Sequence, residues 1–186
     1  ITHANHRMTE LFGRSMDDLI GSDYISLIAP PERDSASRRL TALLGREMPS
    51  VNLERVYYRH DRSLFWGLLT GRPLRNGKGE VCGLVGVIAD VTARKEAEAG
   101  MALAARVFEA CHEGIFVADA QRQIISVNPA FSAISGYPAE EALGKHIGFL
   151  ASKRHPEAFF EVMFQSLDTS DHWEGEVWNR HRDGAI

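Results

Sequence analysis

The sequence lacks most of the features that would settle a function by themselves. Only two of its 186 residues are cysteines, Cys82 and Cys111. That is too few for a disulfide framework, and a reduced, cytoplasmic setting is the default expectation. No apolar run approaches the roughly 20 residues that a membrane-spanning helix needs. No charged-then-apolar leader opens the chain, so any membrane tether would be supplied by sequence outside it. The formal net charge is −4, which argues against a nucleic-acid partner because such proteins present a basic face. The eight histidines show no C-x-x-C or H-E-x-x-H spacing, so no metal site is expected. No nucleophile–base pair stands out, and the serines sit mostly at turns and caps, so no catalytic residue is assigned. His181-Arg182-Asp183 spells the start of a kinase catalytic loop. That motif needs a downstream Asn, a D-F-G and a Gly-rich loop. Here it reads as a charged turn, like His60-Asp61-Arg62 earlier in the chain.

What is present is an ordinary globular composition, 44% hydrophobic and 25% charged, at a length that allows one large or two small domains. Ile1 to Asn5 reads as a short strand. A helical stretch follows, with Met8, Leu11 and Phe12 on one face and Gly13 at its end. Ser15-Met16-Asp17-Asp18 starts a second short helix that closes at Gly21. Pro30-Pro31-Glu32 leads into a longer one that ends at Gly45. The character then changes. Val51–Arg59 and Leu64–Leu74 are rich in β formers, and Pro73 weakens the end of the second run. Asn76-Gly77 is a hairpin signal, and Val81–Ala89 is a last strand. Helices followed by consecutive antiparallel strands define an α+β unit with its helices on one face of the sheet.

The strongest signal is internal repetition. Ile1-Thr2-His3-Ala4-Asn5 recurs as Ile124-Ile125-Ser126-Val127-Asn128. With no gap, Gly13 then falls on Gly136, Asp17-Asp18 on Glu140-Glu141, and Gly21 on Gly144. Further on, Val56–His60 matches Val177–His181. Gly114–Asp119 adds a strand ahead of the second copy, and the stretch from Trp173 through Val177 reads as a later one. Both copies read as incomplete. The division expected is 1–92, a first domain without its first strand; 93–112, a linker helix; and 113–186, a second domain without its last two strands.

These residues resemble the PAS family of sensory α+β domains. The likeness rests on Asn5 with Gly13, Asp17-Asp18 and Gly21, and on Asn128-Pro129-Ala130-Phe131 with Gly136-Tyr137, Glu140-Glu141 and Gly144. It rests further on Trp173-x-Gly175-Glu176-x-Trp178-Asn179-Arg180, Gly83-Leu84-Val85-Gly86, and Asp90-Val91-Thr92. The resemblance implies a five-stranded antiparallel sheet with helices across one face and ligands, where bound, between the two. Pocket candidates are Phe12, Tyr24, Leu53, Tyr57, Trp66 and Leu68 in the first copy, and Phe131, Trp178 and Asn179 in the second. It also implies that Asp90 and Thr92 couple the sheet to the following helix. The function implied is sensing or relay, with dimerisation, toward an output domain elsewhere in a longer protein. A cyclic-di-GMP cyclase or phosphodiesterase is favoured as that output, with a histidine kinase as runner-up.

The cofactor is left open. A photochemical flavin needs a cysteine where Tyr24 and Ile147 stand. Flavin held without a thiol needs two Asn and a Gln; the first copy has Tyr58, Gly67 and Ile88 there, and the second offers Asn179. FAD in the second copy, as in the flavin-containing redox sensors of nitrogen-fixation regulators, is one alternative; a ligand-free dimerisation module is the other. Haem is disfavoured: the first copy's helix has no His, and the second has only His155, with His146 upstream. Ala97, Met101, Ala104, Phe108 and Cys111 are spaced four, three, four and three, a heptad seam of mostly small residues. They form either a dimer seam, with Ala97, Met101, Ala104 and Phe108 facing a partner helix, or the inner face of a surface helix.

Overall fold

The computed structural model describes residues 1–45 and 47–186. They form two compact units, Ile1–Gly100 and Met101–Ile186.

The first unit opens with three helices whose ends follow from local chemistry. Helix α1 spans His6–Phe12; the Asn5 side chain accepts the Met8 N–H, and Gly13, at a φ of 60°, turns the chain out. Helix α2, Met16–Leu19, is capped by Ser15, whose hydroxyl oxygen accepts the Asp18 N–H at 3.1 Å. Two 3-10 turns, Tyr24–Leu27 and Pro30–Glu32, lead into α3, Arg33–Leu44. Strands β1 (Val51–Tyr58), β2 (Leu64–Arg75) and β3 (Val81–Asp90) then form one antiparallel sheet in that order. Pro73 stays inside β2. Trp66 directs both its N–H and its C=O toward the β3 side, so alternate residues, Pro73 among them, point toward β1. Pairing with β1 has already ended at Gly71, so the missing N–H breaks no ladder bond. At the hairpin tip the left-handed residue is Gly79, at a φ of 78°, not Gly77; Asn76 Oδ1 accepts the Lys78 and Glu80 N–H groups. Helix α4 follows as Thr92–Ala110.

The second unit repeats the plan. Strands β4 (Phe116–Ala118) and β5 (Ile124–Val127) pair as a hairpin. Helices α5 (Pro129–Ser135), α6 (Ala139–Ala142) and α7 (Glu157–Ser170) follow. Asn128 caps α5 and is 1% exposed. Its Oδ1 accepts the N–H groups of Ile115 and Phe131, and its Nδ2 donates to the Glu113 carbonyl. The fully buried amide therefore ties β4, β5 and α5 together.

Three expectations are corrected. Ile1–Asn5 is not a strand, although it occupies the place of one: the Gly21 N–H donates to the Ile1 carbonyl at 2.8 Å as the Gly144 N–H donates to Ile124 at 2.7 Å. Ile124 has β4 beside it; among the described residues Ile1 has no such neighbour, and an extended segment without a partner is not a ladder. The stretch from Trp173 through Val177 to Asn179 is likewise not a strand; among the described residues it pairs through a single bridge from Asn179 to Ala151. The sheets accordingly hold three and two strands among the described residues, one fewer in each unit than the incomplete copies were expected to have.

The third correction concerns which face residues occupy. Directly paired residues of neighbouring strands share a face, and Tyr57 pairs with Phe65 and Arg55 with Gly67. The inner face of β1 is therefore Val51, Leu53, Arg55 and Tyr57, and that of β2 is Phe65, Gly67, Leu69 and Gly71. Trp66 and Leu68, expected in the pocket, lie on the opposite face.

Candidate functional site

The interior of the first unit lies between this inner face and the helices. Phe12, Leu19, Leu27, Ile28, Ala36, Tyr57 and Phe65 form one buried cluster; Leu43, Val51 and Leu69 form another, with Leu53 packed against it. The Tyr57 ring meets Phe12 edge-on at 5.6 Å and stacks on Phe65 at 5.4 Å. It lies across Gly67, where an added Cβ would come within 2.5 Å of the ring. Tyr24 Oη and Tyr57 Oη are 2.8 Å apart. Burial pushes the ionisation of both phenols up, so both carry their protons at neutral pH. Arg55, on the same face, is 2% exposed.

The second element is the corner where β3 becomes α4. The Val91 N–H donates to the Trp66 carbonyl at 2.8 Å. The Trp66 N–H donates to Thr92 Oγ1 at 3.0 Å, and the Thr92 N–H to Asp90 Oδ1 at 2.9 Å. Asp90 Oδ2 accepts from Arg59 Nη2 at 2.8 Å. Arg59 also donates to the Leu11 carbonyl and lies 4.5 Å over the Phe65 ring. On the outer face of the sheet, Glu54 pairs with Arg94 and with Lys95, whose ammonium sits 5.4 Å over the Trp66 ring. Burial pushes the Asp90 carboxyl up, but the Thr92 hydrogen bonds and the Arg59 charge outweigh it and hold it below its ordinary value. Past this corner no residue of α4 is buried among the described residues. Ala97, Met101 and Ala104 are exposed, Met101 by 74%, and Phe108 is half-buried.

In the second unit a cleft of about 340 Å³ lies between Phe116, Phe131, Ile134 and Leu150 on one side and Asn179, Arg180 and His181 on the other. It brings together two of the three expected residues, Phe131 and Asn179. Trp178 points outward, its ring covered by the Arg154 guanidinium at 4.7 Å. Of the other polar groups of the cleft, Ser135 donates to the Phe131 carbonyl, His181 faces Asp183 at 2.7 Å, and Arg180 gives one of its five donors to the Phe149 carbonyl. Against the edge of a flavin ring, which needs several donors and acceptors, the described residues supply the Asn179 amide and the remaining Arg180 donors. His155, the candidate haem ligand, accepts the Trp178 N–H on its Nε2 at 2.9 Å and stacks on Phe159; that nitrogen is taken. Among the described residues no cluster of three His, Cys, Asp or Glu side chains could hold a metal ion.

The backbone also sets the register between the two copies. The Ala29 N–H donates to the Val56 carbonyl as Ser152 does to Trp178, and Arg59 N–H to Ser63 as His181 does to Ala185. Ile28 bridges to Tyr57 as Ala151 bridges to Asn179, and Asp61 Oδ1 accepts from Ser63 as Asp183 Oδ1 does from Ala185. Asn179 therefore matches inward-facing Tyr57, not Tyr58, and Trp178 matches outward-facing Val56. The sequence match of Val56 with Val177 is one residue out. Arg59, Glu54, Lys95 and Arg55 were not singled out from the sequence. For Arg55 the signal was present, since it is in phase with Val51, Leu53 and Tyr57.

The chain belongs to the PAS domain family, whose model matches residues 1–93 and 112–186. It is 35% identical over 72 residues to the nitrogen fixation regulatory protein of Klebsiella oxytoca and 33% identical over the same length to that of Klebsiella pneumoniae. Each match covers 39% of this chain and 14% of the relative, so the chain spans a small part of the length of these relatives. Among solved structures it is similar to a light-oxygen-voltage domain from work on a flavin analogue, at 25% identity and a TM-score of 0.46, covering 57% of this chain and 77% of the other. It is also similar to a sensory box histidine kinase/response regulator from Burkholderia thailandensis E264, at 24% identity and a TM-score of 0.43, covering 55% and 76%. The two matched regions are PAS sensory domains. No helix of the described residues is long and apolar enough to cross a membrane.

Proposed function

We propose that this chain is a sensory relay in which the first unit takes a small ligand in its interior and transmits its state through Asp90, Thr92 and α4. The observation that carries this reading is the asymmetry of α4. Its first turn is fastened to the sheet through Trp66, Asp90, Arg59 and Glu54, and beyond that it presents an uncovered apolar side. Arg59 joins the two ends of the path, because it touches Phe65 of the core and Asp90 of the corner. A change in how Tyr57 and Phe65 pack alters where Arg59 can hold Asp90, and the helix follows as a two-state element. Ala97, Met101, Ala104 and Phe108 are the seam through which α4 meets the same helix of a second copy. The domain division proposed is 1–92, 93–112 and 113–186. The output lies in a domain beyond this segment, with a cyclic-di-GMP cyclase or phosphodiesterase favoured and a histidine kinase as the runner-up. The setting is cytoplasmic, in keeping with two unpaired cysteines. Cysteines placed at Ala97 and Ala104 test the seam: oxidation should give cross-linked dimers from both positions, and monomer alone would remove the helix pair from the model.

A second reading gives the cleft of the second unit to a flavin, favoured by its joining of Phe131 and Asn179. When bound, a flavin would supply redox sensing there, with Asn179 holding the ring edge. An absorbance spectrum of the protein purified as part of its full-length chain decides this: flavin bands that vanish in Asn179→Ala support it, and a colourless protein ends it.

A further inference from the structure

Arg55 is explained by neither the core nor the relay. It is 2% exposed, and its Nε has no hydrogen-bond partner. A guanidinium does not shed its proton inside a protein, so this is a buried positive charge. Among the described residues no acid lies within ion-pair distance of it. Glu32, on the facing turn, uses its Oε1 to accept the Val56 N–H at 3.2 Å. On the inner face of β1, Arg55 stands between Tyr57 of one apolar cluster and Val51 and Leu53 of the other. Buried charges are normally paired, and what is missing here is an anion.

The neighbours are suited to one. The charges of Arg55 and, in the opposite sense, of Glu32 act on both Tyr24 and Tyr57. Two phenols carry two protons, and their mutual bond at 2.8 Å uses one; the second is left to donate. We infer that the interior of the first unit binds a small organic carboxylate, with its charge on Arg55, an oxygen on the free phenol proton, and a short apolar body against Val51, Leu53 and Leu69. This rests on the reading that the first unit senses a small molecule, and it names the chemical class. One cation beside two neutral phenols, with Glu32 on the facing turn, balances at most one further negative charge; a doubly charged phosphate would leave an excess buried charge. The second unit has Val177 at the position matching Arg55, so the carboxylate site belongs to the first unit.

The test is calorimetric and thermal-shift titration of the whole chain with acetate, propionate and butyrate at constant ionic strength, with chloride and the corresponding neutral amides as controls. Saturable binding of the acids, with a rise in Tm, is expected; chloride and the amides should give neither. Arg55→Met should fold at least as stably without ligand, since an apolar side chain of similar length replaces an unpaired buried charge, and should weaken acid binding by more than about tenfold. Tyr24→Phe should keep the fold and weaken binding several-fold. Amides that bind as well as the acids would overturn the charge assignment while leaving a ligand-binding interior. Acid binding that survives both Arg55→Met and Tyr24→Phe would place the carboxylate elsewhere and overturn the inference. If neither acids nor amides bind, the carboxylate inference fails, while the sensing reading, which names no ligand class, stands.

Discussion

Tyr57 and Asn179 stand at the same point of the two units, each bridged to the residue that follows the matching 3-10 turn, Ile28 in one and Ala151 in the other. One is a fully buried aromatic and the other an exposed amide. Equivalent places in the frame therefore carry different loads. Tyr57→Ala should destabilise the first unit by about 3–5 kcal/mol, as loss of a large buried aromatic does. Asn179→Ala should change stability by no more than about 0.5 kcal/mol. Denaturant titration of the two variants checks both values.

The repeated asparagines give a second contrast. Asn5 makes one cap bond to the Met8 N–H from an exposed position. Asn128 serves one buried and one part-buried N–H group and a carbonyl. Asn5→Ala should cost about 1 kcal/mol. Asn128→Ala leaves both N–H donors unmet and should cost about 2–4 kcal/mol. Hydrogen exchange at Ile115 and Phe131 should accelerate in the second variant alone.

Gly67 is required by its neighbour. A Cβ there would lie 2.5 Å from the Tyr57 ring and 3.0 Å from Ile88 Cγ2. Gly67→Ala should destabilise by about 1–3 kcal/mol through overpacking. A Tyr57→Leu background, with no ring over the glycine, should tolerate it better, and a double-mutant cycle measures that coupling.

At the helix corner, Thr92→Val keeps shape but removes the acceptor for the Trp66 N–H. The expected loss is about 1 kcal/mol, with faster exchange of the Trp66 amide. Asp90 adds a pH dependence. Its carboxyl is held below its ordinary value in the folded state, so its contribution is complete above the unfolded-state pKa of about 3.9. That contribution disappears as pH falls from there through the folded value. Stability measured from pH 6 downward should therefore fall less steeply over this range in Asp90→Asn than in the parent. An unchanged slope would remove Asp90 from the corner's electrostatics.

The helices, the strands from Val51 to Asp90 and the repeat were legible because each is written locally, in caps, glycines and β-rich runs. The phase of β2 was not. Leu64-Phe65-Trp66-Gly67-Leu68-Leu69 is apolar in both alternations, so nothing in the run itself says that Phe65 turns inward and Trp66 outward. Pairing with β1 decides it. The strands expected at Ile1–Asn5 and around Val177 failed for a related reason: a strand is a property of a pair of segments, and here the partner was not alongside. The corner was read from Asp90 and Thr92 alone, because Arg59 and Glu54 reach it from far away in sequence.

The matched backbone bonds, Gly21 to Ile1 and Gly144 to Ile124, carry a last consequence. The two copies agree where the chain changes direction and differ at the inward positions, where the first has Arg55 and Tyr57 and the second has Val177 and Asn179. Agreement at the hinges of a frame, with divergence in its lining, lets one architecture be tuned twice.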